Sequence, residues 1–430
     1  MASPVENYLE KYKAIPQREF PLLQEKAIQH FSRLGFPTSK NEEWKYTNIA
    51  PIVTKDFSFS IPGNKITSKE ITDRFPFVKG NVLIVLENGK INYEASALES
   101  LPSGIEIKSL AEAKNKEEVK AHYNLYADVQ ADAFSALNTA FANDGLAIVI
   151  HQGALIEKPV YIVQVAVSDN AATISHNRIF VFAGKSAEAK ISHLSVSKNE
   201  TTDTFSNSII EVFAGENASL EYDLLQNEND KSFQVCGTHV YQSANSKFSI
   251  NTVALGGSIL RNKLHIKLDG QNCETHMHGL YVAGGSQLID NHTAVYHSKP
   301  NSNSNELYKG IIGGKAHGVF NGKIFVEKDA QKTNAYQSNK NILLSNDAVV
   351  NAKPQLEIFA DDVKCTHGAT TGQMDDESLF YLRSRGINEN DAKALLNLAF
   401  ANDILNNISL EDFRVYISAL VDAKLKSIAY

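Results

Sequence analysis

Cysteine is scarce in this chain: Cys236, Cys273 and Cys365 are the only three in 430 residues, far apart and odd in number. That excludes a disulfide framework of the secreted kind and fits a reducing cytoplasm. No Cys-x-x-Cys pair occurs. An iron–sulfur cluster takes about four thiolates, so the chain holds none conventionally by itself. Positive charge is not in excess either. The formal net charge is −7, with no basic stripe to neutralise phosphates, which excludes nucleic acid as the expected partner. No run of about 18 apolar residues exists, so nothing is expected to span a membrane. The opening Met-Ala-Ser-Pro-Val-Glu lacks the apolar stretch of a signal peptide. Also missing are a Gly-x-x-x-x-Gly-Lys-Ser/Thr phosphate loop and a Gly-x-Ser-x-Gly elbow. Gly313-Gly314-Lys315 lacks both the preceding glycine and the following hydroxyl. Any energy-driven cycle therefore falls to a partner.

What is present is a large hydrophobic fraction, 43% of the residues, enough for a sizeable core and two or three domains. Residues 1–144 read as a mainly helical region with a short β segment. Ser3-Pro4-Val5-Glu6 is a capping-box pattern with proline at the first helical position. Leu23, Ala27, Phe31 and Leu34 recur at helical spacing from Pro21, and Gly35 with Pro37 supplies the stop. The only tryptophan, Trp44 in Asn41-Glu42-Glu43-Trp44-Lys45-Tyr46-Thr47, reads as an aromatic anchor tying this region to the body. A short strand, Val82 to Leu86, runs into the turn dipeptide Asn88-Gly89, and a further helix is expected near Asp132 to Ala142.

From residue 145 to about 370 the texture changes to short alternating runs separated by Gly, Asn and Asp. Ala218, Leu220, Tyr222 and Leu224 alternate with Ser219, Glu221 and Asp223, as in a strand with one buried face. More than 200 such residues without helices exclude a doubly wound α/β fold and leave a sandwich, a propeller or a solenoid. A repeat favours the solenoid. Val181-Phe182-Ala183-Gly184 returns 31 residues later as Val212-Phe213-Ala214-Gly215, and Gly-Gly pairs begin at Gly256, Gly284 and Gly313, 28 and 29 residues apart. A period near 30 suits one coil of a β-helix. Residues 371–430 read as helical again. Leu379, Tyr381 and Leu382 precede Gly386. Asn388 caps a helix carrying Ala392, Leu395, Leu396, Ala399 and Phe400. Ser409 and Asp412 resemble a second capping box before Phe413, Tyr416, Ile417, Leu420 and Leu425. These stripes either pack on the end of the solenoid or form a partner surface.

Two groups of residues carry metal-binding chemistry. In Asp361-Asp362-Val363-Lys364-Cys365-Thr366-His367-Gly368 an extended backbone points Cys365 and His367 to one face. Thiolate and imidazole together suit a soft metal such as iron or zinc. Two ligands do not close a site, so a second chain would have to complete it. The same residues also suit a buried cysteine beside a hydrogen-bonded histidine at a strand end. The second group is Cys273, His276 and His278, with His265, His292, His297 and His317 nearby. No acidic residue stands at a ligand spacing there, and the group reads by default as ladder or surface histidines.

The run Pro354-Gln355-Leu356-Glu357-Ile358-Phe359-Ala360-Asp361-Asp362-Val363-Lys364-Cys365-Thr366-His367-Gly368-Ala369-Thr370 resembles the signature of the SufB/SufD family of iron–sulfur cluster assembly scaffold proteins. So do Leu379 to Ile387, Asp290-Asn291-His292-Thr293, Tyr308-Lys309-Gly310, Val319 to Lys323, Asp329 to Thr333 and Glu42 to Thr47. The likeness is dense over about 280–390 and reaches the N-terminal region. The SufD type fits better than SufB, whose chains are longer and carry an N-terminal cysteine motif absent here. The resemblance implies a mainly β fold, a right-handed parallel β-helix flanked by N- and C-terminal helical regions. It implies pairing with SufB through the β-helices and binding of the ATPase SufC by the C-terminal helices. It further implies a transient cluster or iron shared with SufB, with His367 as its ligand and Cys365 as the second candidate. The isolated chain, a non-catalytic cytoplasmic scaffold on this reading, is expected to hold no cofactor and to be capable of forming a homodimer through an open edge. Rival readings are a purely structural scaffold of that complex, a carbohydrate-active β-helix enzyme, and a metalloenzyme using the 265–317 histidines.

Overall fold

The computed structural model describes residues 3–59, 65–168 and 171–428. The opening Met-Ala pair and the last two residues of the expected C-terminal region lie outside these. Among the described residues the strands form a ten-stranded and a nine-stranded sheet. They alternate along the chain from Leu146–Ile150 to Lys364–Gly372, so every coil contributes one strand to each sheet. Pairing is parallel throughout, except where Lys90–Ile91 and Ile105–Ser109 close the N-terminal end antiparallel to their neighbours. The fold is a parallel β-helix flattened between two sheets, as the period near 30 predicts. The strand Val82–Glu87 joins the ten-stranded sheet beside Val160–Ala166, so the solenoid draws its first coil from upstream of residue 145.

Register explains the core. Ile148, Val181, Val212, Val240, Ile266, Val295, Ile324 and Leu356 stand directly above one another on eight successive strands of one sheet. Their side chains point into the lumen, and β-branched residues dominate because they pack tightly on a pleated surface. Each fully buried member contributes roughly 1.5–3 kcal/mol of apolar transfer energy. A polar column runs beside them. Asn177, Ser208, Cys236, Asn262 and Asn291 stack in register, and Asn177 Nδ2 donates to Ser208 Oγ at 3.0 Å while Asn262 Nδ2 donates to Asn291 Oδ1 at 3.1 Å.

The corners carry the repeat. The short turn from the nine-stranded to the ten-stranded sheet places Ser186, Asn217, Asn245, Asn272, Asn301 and Lys332 at φ between 57° and 62°. This is the left-handed conformation that asparagine tolerates better than most residues. At the opposite corner Gly257, Gly285 and Gly314 take φ of 81°, 61° and 65°, which accounts for the Gly-Gly pairs.

Helices cover both flanks. The N-terminal capping box forms as expected: Ser3 Oγ accepts from the Glu6 amide, and Glu6 accepts from the Ser3 amide. Helices Pro4–Lys13, Pro21–Leu34 and Ala133–Phe141 pack Tyr8, Phe31 and Phe134 against Phe205, Phe233 and Ile259 on the outer face of the nine-stranded sheet. Helices Glu389–Leu405 and Glu411–Ser427 lay Ile404, Phe413, Ile417, Val421 and Leu425 on Leu225, Val253, Leu280 and Ile311 of the ten-stranded sheet. The tail therefore packs along the flank of the solenoid, not on its end. Two local expectations fail. No side chain caps Glu411–Ser427; Leu410 occupies the cap position, and the Ser409 amide donates to Glu221 at 2.9 Å. In Glu389–Leu405 Leu395 and Ala399 face solvent, because Ala394, Asn397, Ala401 and Leu405 form the buried stripe.

Candidate functional site

The last coil ends in two strands that each have a neighbour on one side only: Val349–Ile358 pairs with His317–Val326, and Lys364–Gly372 pairs with Asn334–Leu343. Among the described residues no helix covers this end, and Tyr336, Val349, Ile358 and Phe359 are exposed there. Exposed sheet edges with apolar side chains are templates for pairing with another chain.

Both expected site residues stand on the terminal strand. Cys365 and His367 share its inward face, in register with Ala335 and Gln337 one coil below. Cys365 is half-buried against Ile324, Val326, Ala330 and Ala335, and burial pushes its thiol above the usual range. Metals bind the thiolate, so this burial counts against Cys365 as a metal ligand at neutral pH. His367 is exposed at the open end.

Below His367 a polar column descends into the lumen. The register places Gln337 under His367 and Glu306 under Gln337. Gln337 Nε2 donates to Glu306 Oε2 at 2.9 Å, and Thr293 Oγ1 donates to Glu306 Oε1 at 2.5 Å. Burial raises the Glu306 carboxyl to about 7. Sequence reading missed this column. The signal is the coil period itself, because 306, 337 and 367 are spaced by 31 and 30 residues.

The histidines of the second group are scattered over both sheets and occupied individually. His297 lies in the lumen, bonded to Ser304 Oγ at 2.9 Å. His278 meets Asn251 Oδ1 at 2.8 Å, His276 meets Glu274 at 2.9 Å, and His317 meets Asn351 Oδ1 at 2.6 Å. Burial holds His265, His278 and His297 down at about 4. Cys273 is buried, its thiol directed at the carbonyls of Ser243 and Gly270, both at 3.2 Å. Among the described residues no group of three or more His, Cys, Asp and Glu side chains is placed to hold a metal ion.

His292 has a different setting. It lies between Glu43 and Asp290, 3.0 Å from each. Asp290 also accepts from Thr47 and ion-pairs Arg261, whose guanidinium stacks on Trp44. The Glu42–Thr47 segment and the Asp290–Thr293 segment, far apart in sequence, thus meet in one network, exposed at Glu43 and buried at Asp290, that anchors the N-terminal region, the role expected of Trp44.

The profile described as "SUF system FeS cluster assembly, SufBD core domain" matches residues 165–400, and "SufBD protein N-terminal region" matches residues 5–162. The chain belongs to the SufBD family of iron–sulfur cluster assembly proteins. It is 30% identical over 402 residues to the iron–sulfur cluster assembly protein SufD of Escherichia coli, covering 93% of this chain and 91% of that protein. An iron–sulfur cluster assembly SufBD family protein of Synechocystis is 32% identical over 386 residues, 88% of this chain and 85% of its own length. The chloroplastic protein ABCI7 of Arabidopsis thaliana is 26% identical over 425 residues, 95% and 87% of the two chains. The SufBD core match takes in both open edges, Cys365, His367 and the Glu306–Gln337 column, and it extends into the first tail helices.

Proposed function

We propose that this chain is the SufD-type, non-catalytic scaffold subunit of an iron–sulfur cluster assembly complex, joined to a SufB chain at the open end of the β-helix and to the ATPase SufC through its C-terminal helices. The observation that carries the reading is the placement of His367. A free imidazole stands on an uncapped strand edge, with one half-buried thiol beside it and too few soft ligands to close a site. Such a half-site gains meaning from a second chain that brings the remaining ligands. The nascent cluster is cargo: it is shared across the interface and not held by the isolated chain. His367 serves as the ligand from this side, and Cys365 is secondary. Purified alone, the chain is expected to pair with a second copy through the same edges.

The tail supports the second contact. Its inner faces are buried on the solenoid, while Phe380, Tyr381, Leu395 and Val415 remain exposed. Lys309 ties the two parts together. Its ammonium donates to the Phe400 carbonyl at 2.9 Å, ion-pairs Asp403, and lies 4.0 Å from the Phe400 ring centroid. A pull on these helices would thus reach the ten-stranded sheet that carries His367.

The test is anaerobic co-expression with SufB and SufC, wild type beside His367→Ala, with iron, sulfide and visible absorbance recorded. An intact complex without cluster in the variant is expected. Unchanged cluster content would reduce the chain to a structural scaffold, and absence of a complex would overturn the assembly reading.

A further inference from the structure

The column beneath His367 contains an unsatisfied atom. Gln337 is 3% exposed, and its Oε1 has no hydrogen-bond partner among the described residues. A buried carbonyl without a donor costs free energy, so an orphaned one calls for an explanation. The orientation of the amide is fixed from below. Glu306 accepts from Thr293 and from Gln337; with the carboxyl ionised, the NH2 end of Gln337 faces it and the amide oxygen faces away. The amide is also fixed from the side. Gly322 leaves a slot in the opposite sheet, where a Cβ would come within 2.4 Å of Gln337 Nε2 and 2.8 Å of Gln337 Cδ. Any larger residue would displace the amide.

His367 occupies the next step up this ladder, on the same inward face. One parallel step is ~4.8 Å, within the combined reach of a glutamine carbonyl and an imidazole N–H. The structure leaves the two side chains unbonded; turning the exposed ring about its side-chain torsions would bring them together. We propose that Gln337 is the positioning residue for His367: its side-chain oxygen takes one imidazole N–H and leaves the other ring nitrogen, with its lone pair, facing out of the open end. A neutral imidazole binds metal through the nitrogen that lacks the proton, and a hydrogen bond at the other nitrogen selects the tautomer. Glu306, Gly322 and Gln337 together make a rigid support for a ligand that otherwise turns freely at an edge. The value of this support for cluster binding rests on the proposed ligand role of His367; the choice of tautomer does not.

The experiment is ring-15N spectroscopy of the full chain labelled at histidine, at about pH 8.5 where imidazoles are neutral. The His367 signals are assigned by their loss in His367→Ala. In the wild type the two His367 ring nitrogens should be well separated, one protonated and one bare, with one tautomer favoured about tenfold. In Gln337→Met, which keeps the length and removes the carbonyl, they should converge toward the average of a freely exchanging ring. If that variant does not fold, Gln337→Asn shortens the amide and should give the same convergence. Averaged signals in the wild type, or separation that persists in either folded variant, would overturn the inference. A locked tautomer in a chain whose cluster assembly ignores His367 would sink the proposed function and leave this inference standing. An averaged ring with His367-dependent assembly would do the reverse.

Discussion

Arg261 lies over the indole of Trp44, 3.8 Å from guanidinium carbon to ring centroid, and ion-pairs Asp290 from the same position. Arg261 and Asp290 are cross-strand neighbours in the nine-stranded sheet, and the N-terminal region is fastened to this pair by the Trp44 stack on Arg261 and by the Thr47 hydroxyl, which donates to Asp290. Trp44→Ala removes the stack and the apolar contact with Phe134. It should cost about 2–3 kcal/mol, read as a lower urea midpoint, with proteolysis first reaching the helices before residue 60. A variant as stable as wild type would show that the anchor lies elsewhere.

Stability should rise with pH between about 4.5 and 6.5. Burial holds His176 and His193 at about 3, and His265, His278 and His297 at about 4, and it lowers His239 as well. The unfolded chain protonates these six near 6.5 while the native chain does not, so each opposes folding as pH falls through that value. Burial also raises Asp223, Glu228 and Glu306 to about 7. Their stabilising effect is complete below the ordinary carboxyl range and is lost as pH climbs to about 7, the opposite slope. Six histidines outweigh three carboxyls. Urea midpoints across this window should climb, and His193→Asn should reduce the slope by about one proton.

The ion pair of Arg178 and Glu211, at 2.6 Å with both side chains fully buried, makes a second target. Glu211 also accepts the backbone amides of Asn124, Tyr126 and Ala127 at 2.9, 2.8 and 3.2 Å. Glu211→Gln leaves the Arg178 charge uncompensated and should destabilise by about 3–5 kcal/mol. Calorimetry that finds a loss below 1 kcal/mol would mean that Arg178 finds other compensation.

In the tail, stability and partner binding should separate. Phe413→Ala opens a cavity against the ten-stranded sheet and should cost about 3–5 kcal/mol. Phe380→Ala alters an exposed side chain and should change stability by less than about 0.5 kcal/mol, yet weaken capture of SufC in a pull-down. Equal capture by Phe380→Ala and wild type would move that contact off this surface.

Much of this architecture was legible in the residues because the solenoid repeats itself. Gly184 and Gly215 sit at successive corners, and the Gly-Gly pairs mark the opposite one. Alternation alone put Cys365 and His367 on one face. It could not reveal Gln337 beneath them, since coil-to-coil register depends on corner lengths that vary by a few residues. The corner asparagines Asn217, Asn245, Asn272 and Asn301 carried that register in their left-handed conformation, which the one-letter pattern does not display. Tail packing was harder still. Ser409 looked like a cap, but Glu221 claims its amide. Leu395 looked like core, but tertiary contact with Lys309 and the sheet turned a face rich in alanine inward.

The in-register ladder also makes the length of this molecule a counted quantity. Each residue in a strand rests on its equivalent one coil earlier. An insertion inside a strand turns the remaining side chains of that strand from the lumen to solvent and breaks their alignment with the coils on either side. A whole coil, about 30 residues, can be added or removed without disturbing any column above or below it. The distance from the N-terminal cap to His367 therefore changes only in steps of ~4.8 Å, as on a ratchet, and small changes in length are confined to the wider loops such as 198–203.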